Sequence, residues 1–213
     1  DLSISLIGAR KGKVPGLENI KVIKDIQEVP LSEEVDVVVE LIGGVEESFK
    51  LAKAALNNKK HFVTANKALI AAHSKELFEI AKQNQVHLGF EASVAGGIPI
   101  IRVIRDGLMS NQINSFAGIL NVTSNFIFSK MADEGLSFET ALSLAQKEGF
   151  AEPDPTFDIS GQDAAQKTCI LATLSFFKHA VIENVHYEGI DNISPQDIDY
   201  GKQLQLVLSL IHI

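Results

Sequence analysis

The chain has 213 residues, 46% of them hydrophobic and 22% charged, with 19 Lys+Arg against 27 Asp+Glu and a net charge of −8. That balance excludes a phosphate-neutralising nucleic-acid surface and a basic membrane patch, while the apolar content is enough for a buried core. A single cysteine excludes an internal disulfide framework and a zinc site of paired thiolates. No apolar run reaches the roughly 18 residues of a membrane span, and Asp1-Leu2-Ser3-Ile4 lacks the cationic and apolar regions of a signal peptide. We therefore expect a cytoplasmic chain with no membrane and no nucleic-acid partner.

Ile4–Ile7 and Val22–Ile23 read as short strands, punctuated by Gly8, Gly12, Pro15 and Gly16. Val35–Ile42, VDVVVELI, is almost continuously apolar, as expected of a parallel strand covered on both faces. It ends at Gly43-Gly44. Glu46–Lys59 carries an amphipathic stripe, His61–Thr64 is a strand, Ala68–Gln83 a helix and Val86–Phe90 a strand. This alternation predicts an α/β fold, a doubly wound parallel sheet with ligands at the strands' carboxyl ends. There stand Gly43-Gly44, Ala65-Asn66-Lys67 and Glu91-Ala92-Ser93.

The pattern changes near residue 90. Beyond it we expect an α+β region: a helix over Ile98–Met109, a strand over Ser115–Leu120 and helices over Asn121–Met131 and Ser137–Lys147. The longest helix is expected over Gly161–Lys178, followed by a strand over Val181–Ile190.

Chemistry concentrates in AEPDPTFDISGQDAAQK, Ala151–Lys167, with carboxylates at Glu152, Asp154, Asp158 and Asp163. Acidic residues ahead of a helix are also favoured by its dipole, so the first three can equally form a cap region. Asp163 and Lys167 lie one helical turn apart, in line with Ile170, Leu174 and Phe177. A charged pair that continues an apolar stripe is partly buried, and a lysine in dry surroundings beside a carboxylate is a candidate proton-transfer group. Lys67 is either a surface lysine at a helix start or a crevice residue that reaches a ligand. The loop Glu91–Ile98 is either a tight interdomain turn or a set of carbonyls that, with Glu91, holds a hard cation. Gly8, Gly12 and Gly16 do not match a dinucleotide fingerprint, and the histidines (His61, His73, His87, His179, His186, His212) lack metal-ligand spacing. Cys169 reads as core.

Five ordered motifs, VVVELIGG at Val37–Gly44, VTANKAL at Val63–Leu69, FEASVAGGIPII at Phe90–Ile101, GILNVTSNFI at Gly118–Ile127 and AEPDPTFDISGQDAAQK, together resemble homoserine dehydrogenase. The resemblance implies reversible NAD(P)H-dependent reduction of L-aspartate 4-semialdehyde to L-homoserine, on the route to threonine, methionine and isoleucine. It implies a partial dinucleotide-binding (Rossmann) domain over 1–90 and a partial catalytic and dimerisation domain over 91–213, in a homodimer or higher homo-oligomer. It makes Lys167, Lys67 and Asp158 catalytic-site residues, and Glu152, Asp163 and Thr123 substrate contacts. Lys67, Ile42, Gly43 and Arg10 fall on the cofactor side, with NADP or NAD as cofactor; Arg10 and Lys11 hint weakly at a 2′-phosphate. Glu91 with the carbonyls of Val94, Gly96 and Ile98 resembles the family's sodium site.

Val122 stands where the family has glycine, and Phe150 where some members have tyrosine. The family's first strand and glycine fingerprint would precede Asp1, and its return segment would follow Ile213, so a fragment is expected. A second reading takes the 213 residues alone as a non-catalytic binding module of the same fold.

Overall fold

A computed structural model describes residues 2–10 and 14–206. Contacts within the chain divide it into two compact units, one running to Val103 and the other starting at Ile104. The first unit continues past residue 90, where the sequence pattern changes, because Glu91 ties the next helix to it. Its carboxylate oxygens accept the N–H groups of Ile101 and Arg102, each at 3.0 Å.

The first unit holds β1 (Leu6–Gly8), β2 (Lys21–Ile23), β3 (Val37–Glu40), α1 (Glu46–Asn57), β4 (His61–Thr64), α2 (Lys67–Asn84), β5 (Leu88–Gly89) and a short α3 (Ile100–Arg102). All strand pairs are parallel, in two sheets ordered β1-β2 and β3-β4-β5. The crossovers β3-α1-β4 and β4-α2-β5 give the α/β alternation read from the sequence.

Glu46 and Glu47 open α1 where the dipole favours acids. Leu51, Ala52, Ala55 and Leu56 of α1 and Leu69, Ile70 and Leu77 of α2 are buried. The helices meet edge to edge, with Phe49 stacked on His73 at 3.8 Å. The strands are shorter than expected, and β3 is not covered on both faces. Val38 and Glu40 are buried, whereas Val39 is 59% exposed. Within this unit the helices cover one face of the sheet only, so burial alternates with the pleat.

The second unit holds α4 (Val122–Glu134), α5 (Phe138–Lys147), α6 (Thr156–Ile159), α7 (Gln162–Phe176) and α8 (Pro195–Gln203). Ile127, Phe128 and Met131 of α4 pack with Ala141 and Ala145 of α5, with Ile198 of α8 and with Ile190 from the segment ahead of it. The strands expected over Ser115–Leu120 and Val181–Ile190 do not form: among the described residues the first contains one isolated bridge, at Gly118, and the second a 3-10 turn, Ile182–Asn184. A β-prone run needs a hydrogen-bonding neighbour to become a strand, and among the described residues neither run has a paired strand beside it.

The expected Ile98–Met109 helix is a short α turn followed by a π-helical stretch, Val103–Gly107. The longest helix is α2, of 18 residues, and α7 has 15. α7 stops early because Phe177 turns left-handed (φ +52°) and sits 75% exposed, off the apolar stripe expected to include it. No described helix is long and apolar enough to cross a membrane.

Candidate functional site

Lys167 and Asp163 lie on one face of α7. Nζ of Lys167 donates to Asp163 Oδ2 at 2.7 Å and to the carbonyl of Leu120 at 2.7 Å. The side chains are 18% and 3% exposed, so the pair is sheltered, as its place on the apolar stripe requires. An ammonium has three donors, and these bonds use two.

Asn121 organises the carboxylates. Its Oδ1 accepts the Ser124 N–H at 2.7 Å and caps α4, while Nδ2 donates to Asp158 Oδ1 at 2.8 Å and Asp163 Oδ2 at 2.9 Å. One buried amide therefore spans two carboxylates and holds them apart in fixed register. Thr123 Oγ1 lies 2.6 Å from Phe150 O and 3.0 Å from Asp158 Oδ2, sharing one proton between two acceptors. Five side chains from three chain segments thus converge: Asn121 with Thr123, Asp158, and Asp163 with Lys167.

Gly161 sets where α7 begins. Its φ is +85°, and a Cβ there would sit 2.6 Å from the Glu188 carbonyl oxygen. Only glycine fits both conditions.

The other acidic residues of this stretch divide. Asp154 accepts the Thr156 hydroxyl at 2.6 Å and its N–H at 3.1 Å, which hold its carboxyl below the usual range. Glu152 is exposed, and its side chain has no hydrogen-bond or ion-pair partner among the described residues. Val122 opens α4 with 65% exposure. Phe150 stacks on Phe126 at 4.8 Å. Cys169 is buried, and desolvation, with a smaller contribution from Glu183, raises its thiol pKa.

In the first unit, the remaining expected residues lie at strand ends. Ile42 and Gly43 follow β3, Lys67 opens α2, and Arg10 is exposed beyond β1; Lys11 lies outside the described residues. Gly43 and Gly44 have φ of +72° and +75°, and a Cβ on either would meet nothing within 4 Å. The glycines serve the turn and leave open main chain beside Ile42, a surface that a planar ring or a sugar could approach. The N–H groups of Ile42 and Gly43 are already donated to Glu40, however.

Around Glu91, the Ile98 carbonyl accepts the Ile100 N–H at 2.8 Å. The carbonyls of Val94 and Gly96 accept no hydrogen bond among the described residues. This all-oxygen set suits a hard cation. No cluster of three His, Cys, Asp or Glu with metal-binding geometry occurs among the described residues.

Sequence reasoning assigned no role to Asn121 or Glu40. The available signal was an N-cap residue directly ahead of a helical run and a lone acid within an apolar strand.

The family model described as homoserine dehydrogenase matches residues 99–213, and the homoserine dehydrogenase NAD-binding domain matches 5–91. The chain is 46% identical over 212 residues to a homoserine dehydrogenase of Helicobacter pylori, covering 97% of this chain and 50% of that one. A crystal structure of a homoserine dehydrogenase from Thiobacillus denitrificans superposes with a TM-score of 0.88 at 41% identity, over 97% of this chain and 48% of its own. A hyperthermophilic archaeal homoserine dehydrogenase in complex with NADPH matches with a TM-score of 0.70 at 30% identity, over 80% of this chain and 55% of its own. The chain spans about half the length of the curated relatives it matches.

Proposed function

The chain belongs to the homoserine dehydrogenase family, and from that premise we propose that the whole protein reduces L-aspartate 4-semialdehyde to L-homoserine, reversibly, with NAD(P)H. The observation that carries this reading is the Lys167 ammonium, sheltered against Asp163 and Leu120 with one N–H left for an acceptor. The nicotinamide, when bound, supplies the hydride to the aldehyde carbon. As charge develops on the aldehyde oxygen, Lys167 donates its remaining proton there, and in the reverse direction it accepts the hydroxyl proton.

Asp163 and the Leu120 carbonyl fix the direction of Nζ. Asn121 and Thr123 anchor Asp158, and through Asn121 the two carboxylates keep their spacing. Glu152 has no side-chain partner among the described residues and suits the substrate's ammonium, which needs an anionic contact; Asp163 is the second acidic contact. We assign residues 1–90 to dinucleotide binding and 91–213 to catalysis and dimerisation, a division close to the limits of the two family models.

The open main chain at Ile42–Gly43, the Lys67 amine and the exposed Arg10 make up the cofactor side. Glu91 with the Val94, Gly96 and Ile98 carbonyls is the candidate sodium site. The relatives favour an enzyme over a non-catalytic module of the same fold.

The test is loss of NADPH absorbance when L-aspartate 4-semialdehyde is added to the full-length protein. Semialdehyde-dependent oxidation is expected. Absence of turnover with both NADPH and NADH overturns the reading.

A further inference from the structure

β3 carries a buried acid, Glu40, at its carboxyl end, 1% exposed and in register with Thr64 of β4. A carboxylate removed from water is expensive unless its oxygens are hydrogen-bonded, and both of these are. Oε1 accepts the N–H groups of Ile42 at 2.8 Å and Gly43 at 2.9 Å; Oε2 accepts the Thr64 hydroxyl at 2.5 Å.

The chain of bonds continues. Thr64 Oγ1 accepts the Asn66 N–H at 2.9 Å, and Asn66 Nδ2 donates to the Gly44 carbonyl at 2.5 Å. Asn66 Oδ1 also accepts the Leu69 N–H at 3.0 Å, capping α2, whose first residue is Lys67. The path from the Ile42–Gly44 turn through Glu40, Thr64 and Asn66 back to Gly44 is a closed loop.

An apolar residue at position 40 would fill the same space without a desolvation cost. Stability alone therefore does not call for an acid there. What an acid does, and an apolar residue cannot, is accept two N–H groups of the next turn and one hydroxyl from the neighbouring strand together. That fixes the spacing of two strand-end segments.

We propose that Glu40 is a positioning residue for the cofactor, holding the Ile42–Gly44 turn and the first turn of α2, with Lys67, at one separation. The inference rests on the dehydrogenase reading above. Thr64 is its working partner, and the Glu40–Thr64 link couples the two segments alongside the direct Asn66–Gly44 bond.

Three variants of the full-length protein separate the parts. Glu40→Gln keeps a carbonyl for the Ile42 and Gly43 amides and replaces the charge-assisted bond from the Thr64 hydroxyl by a weaker neutral one, donated by the amide to that hydroxyl. Thr64→Val removes that link from the other side, and with it the acceptor of the Asn66 N–H. Glu40→Ala removes both functions.

Titration by NADPH fluorescence should show a dissociation constant raised about threefold by Glu40→Gln or Thr64→Val, and about tenfold or more by Glu40→Ala. The Glu40→Gln/Thr64→Val pair should cost less than the sum of the two single changes, because both act on the shared Glu40–Thr64 link. KM for the semialdehyde should stay within about twofold of wild type. If Glu40→Ala does not fold, the two milder variants carry the test.

Melting temperatures that fall while NADPH affinity stays unchanged in all folded variants would overturn the positioning role. So would additive losses in the double variant. Failure of the wild type to oxidise NADPH with semialdehyde is a different result: it defeats the dehydrogenase reading itself, and the positioning role with it.

Discussion

Two buried acids, one in each unit, are stabilised by different kinds of partner. Glu40 is held by two main-chain N–H groups and a hydroxyl, all within its own strand-end network. Asp163 is held by the Asn121 amide and the Lys167 ammonium. An acid satisfied mainly by backbone fixes the path of a turn and has no proton to exchange with its partners. An acid satisfied by an ammonium shares its site with a movable proton and orients the group that carries it. On the proposed reading, side chains of similar chemistry and burial serve shape in one unit and reactivity in the other, and the partners decide which.

The largest expected effect falls on the reactive member. In the full-length protein, Lys167→Ala should lower kcat for semialdehyde reduction by about a hundredfold to ten-thousandfold, the range for losing a positioned general acid. NADPH affinity, measured by titration, should be nearly unchanged. Turnover that survives within a few-fold would place Lys167 with Glu40, as a group that shapes and does not react.

The Asp163–Lys167 pair also depends on where α7 starts, which Gly161 dictates. Gly161→Ala should destabilise by ~3 kcal/mol, combining the left-handed backbone with a clash against the Glu188 carbonyl. Gly149→Ala isolates the backbone component, since Gly149 has φ +81° but nothing within 4 Å of a Cβ; about 1 kcal/mol is expected there. Urea unfolding of the two variants measures the difference. Equal losses would show that the contact with Glu188 relaxes freely and does not fix α7.

Much of this arrangement was legible beforehand, and the parts that were not share a cause. The parallel α/β alternation of the first unit, the helices of the second and the sheltered Asp163–Lys167 pair follow from local periodicity, which a sequence displays directly. The strands expected over Ser115–Leu120 and Val181–Ile190 were misread because strand formation depends on a neighbour, and apolar β-branched runs do not declare one. Likewise β3 reads as covered on both faces, yet Val39 is 59% exposed; composition shows which residues could be buried but not how many layers cover them. Asn121 and Glu40 escaped for a related reason. Their partners lie 37 and 42 residues away for Asn121 and 24 for Glu40 with Thr64, and no local spacing rule reaches that far.

Asn121 sharpens the contrast by doing two jobs that substitution can separate. Asn121→Ser retains an oxygen to cap α4 and loses both donors to Asp158 and Asp163; Asn121→Ala loses cap and bridge. Asn121→Ser should destabilise by about 1–2 kcal/mol, with Asn121→Ala about 1 kcal/mol worse. In the serine variant kcat should also fall, because Asp163 loses a fixed neighbour. If Asn121→Ser matches wild type in unfolding and in kcat, the amide bridge contributes nothing to either.

The smallest effect concerns an acid of the backbone-held kind at the surface. Asp197 and Ser194 form a capping box at the start of α8: Asp197 Oδ2 accepts the Ser194 N–H at 2.8 Å and its hydroxyl at 2.6 Å. The hydroxyl first, then the N–H, hold the Asp197 carboxyl below its usual range. A carboxyl depressed in the folded chain adds stability above its unfolded value and gives it up as pH falls through the folded one. Protection of the first α8 amides against hydrogen exchange should therefore weaken as pH drops below about 4. Asp197→Asn keeps an oxygen for the cap but has no proton to gain, so its protection should no longer depend on acid. Equal acid sensitivity in Asp197→Asn would assign the dependence to other groups, and the box would then be held by its geometry and not by the charge of Asp197.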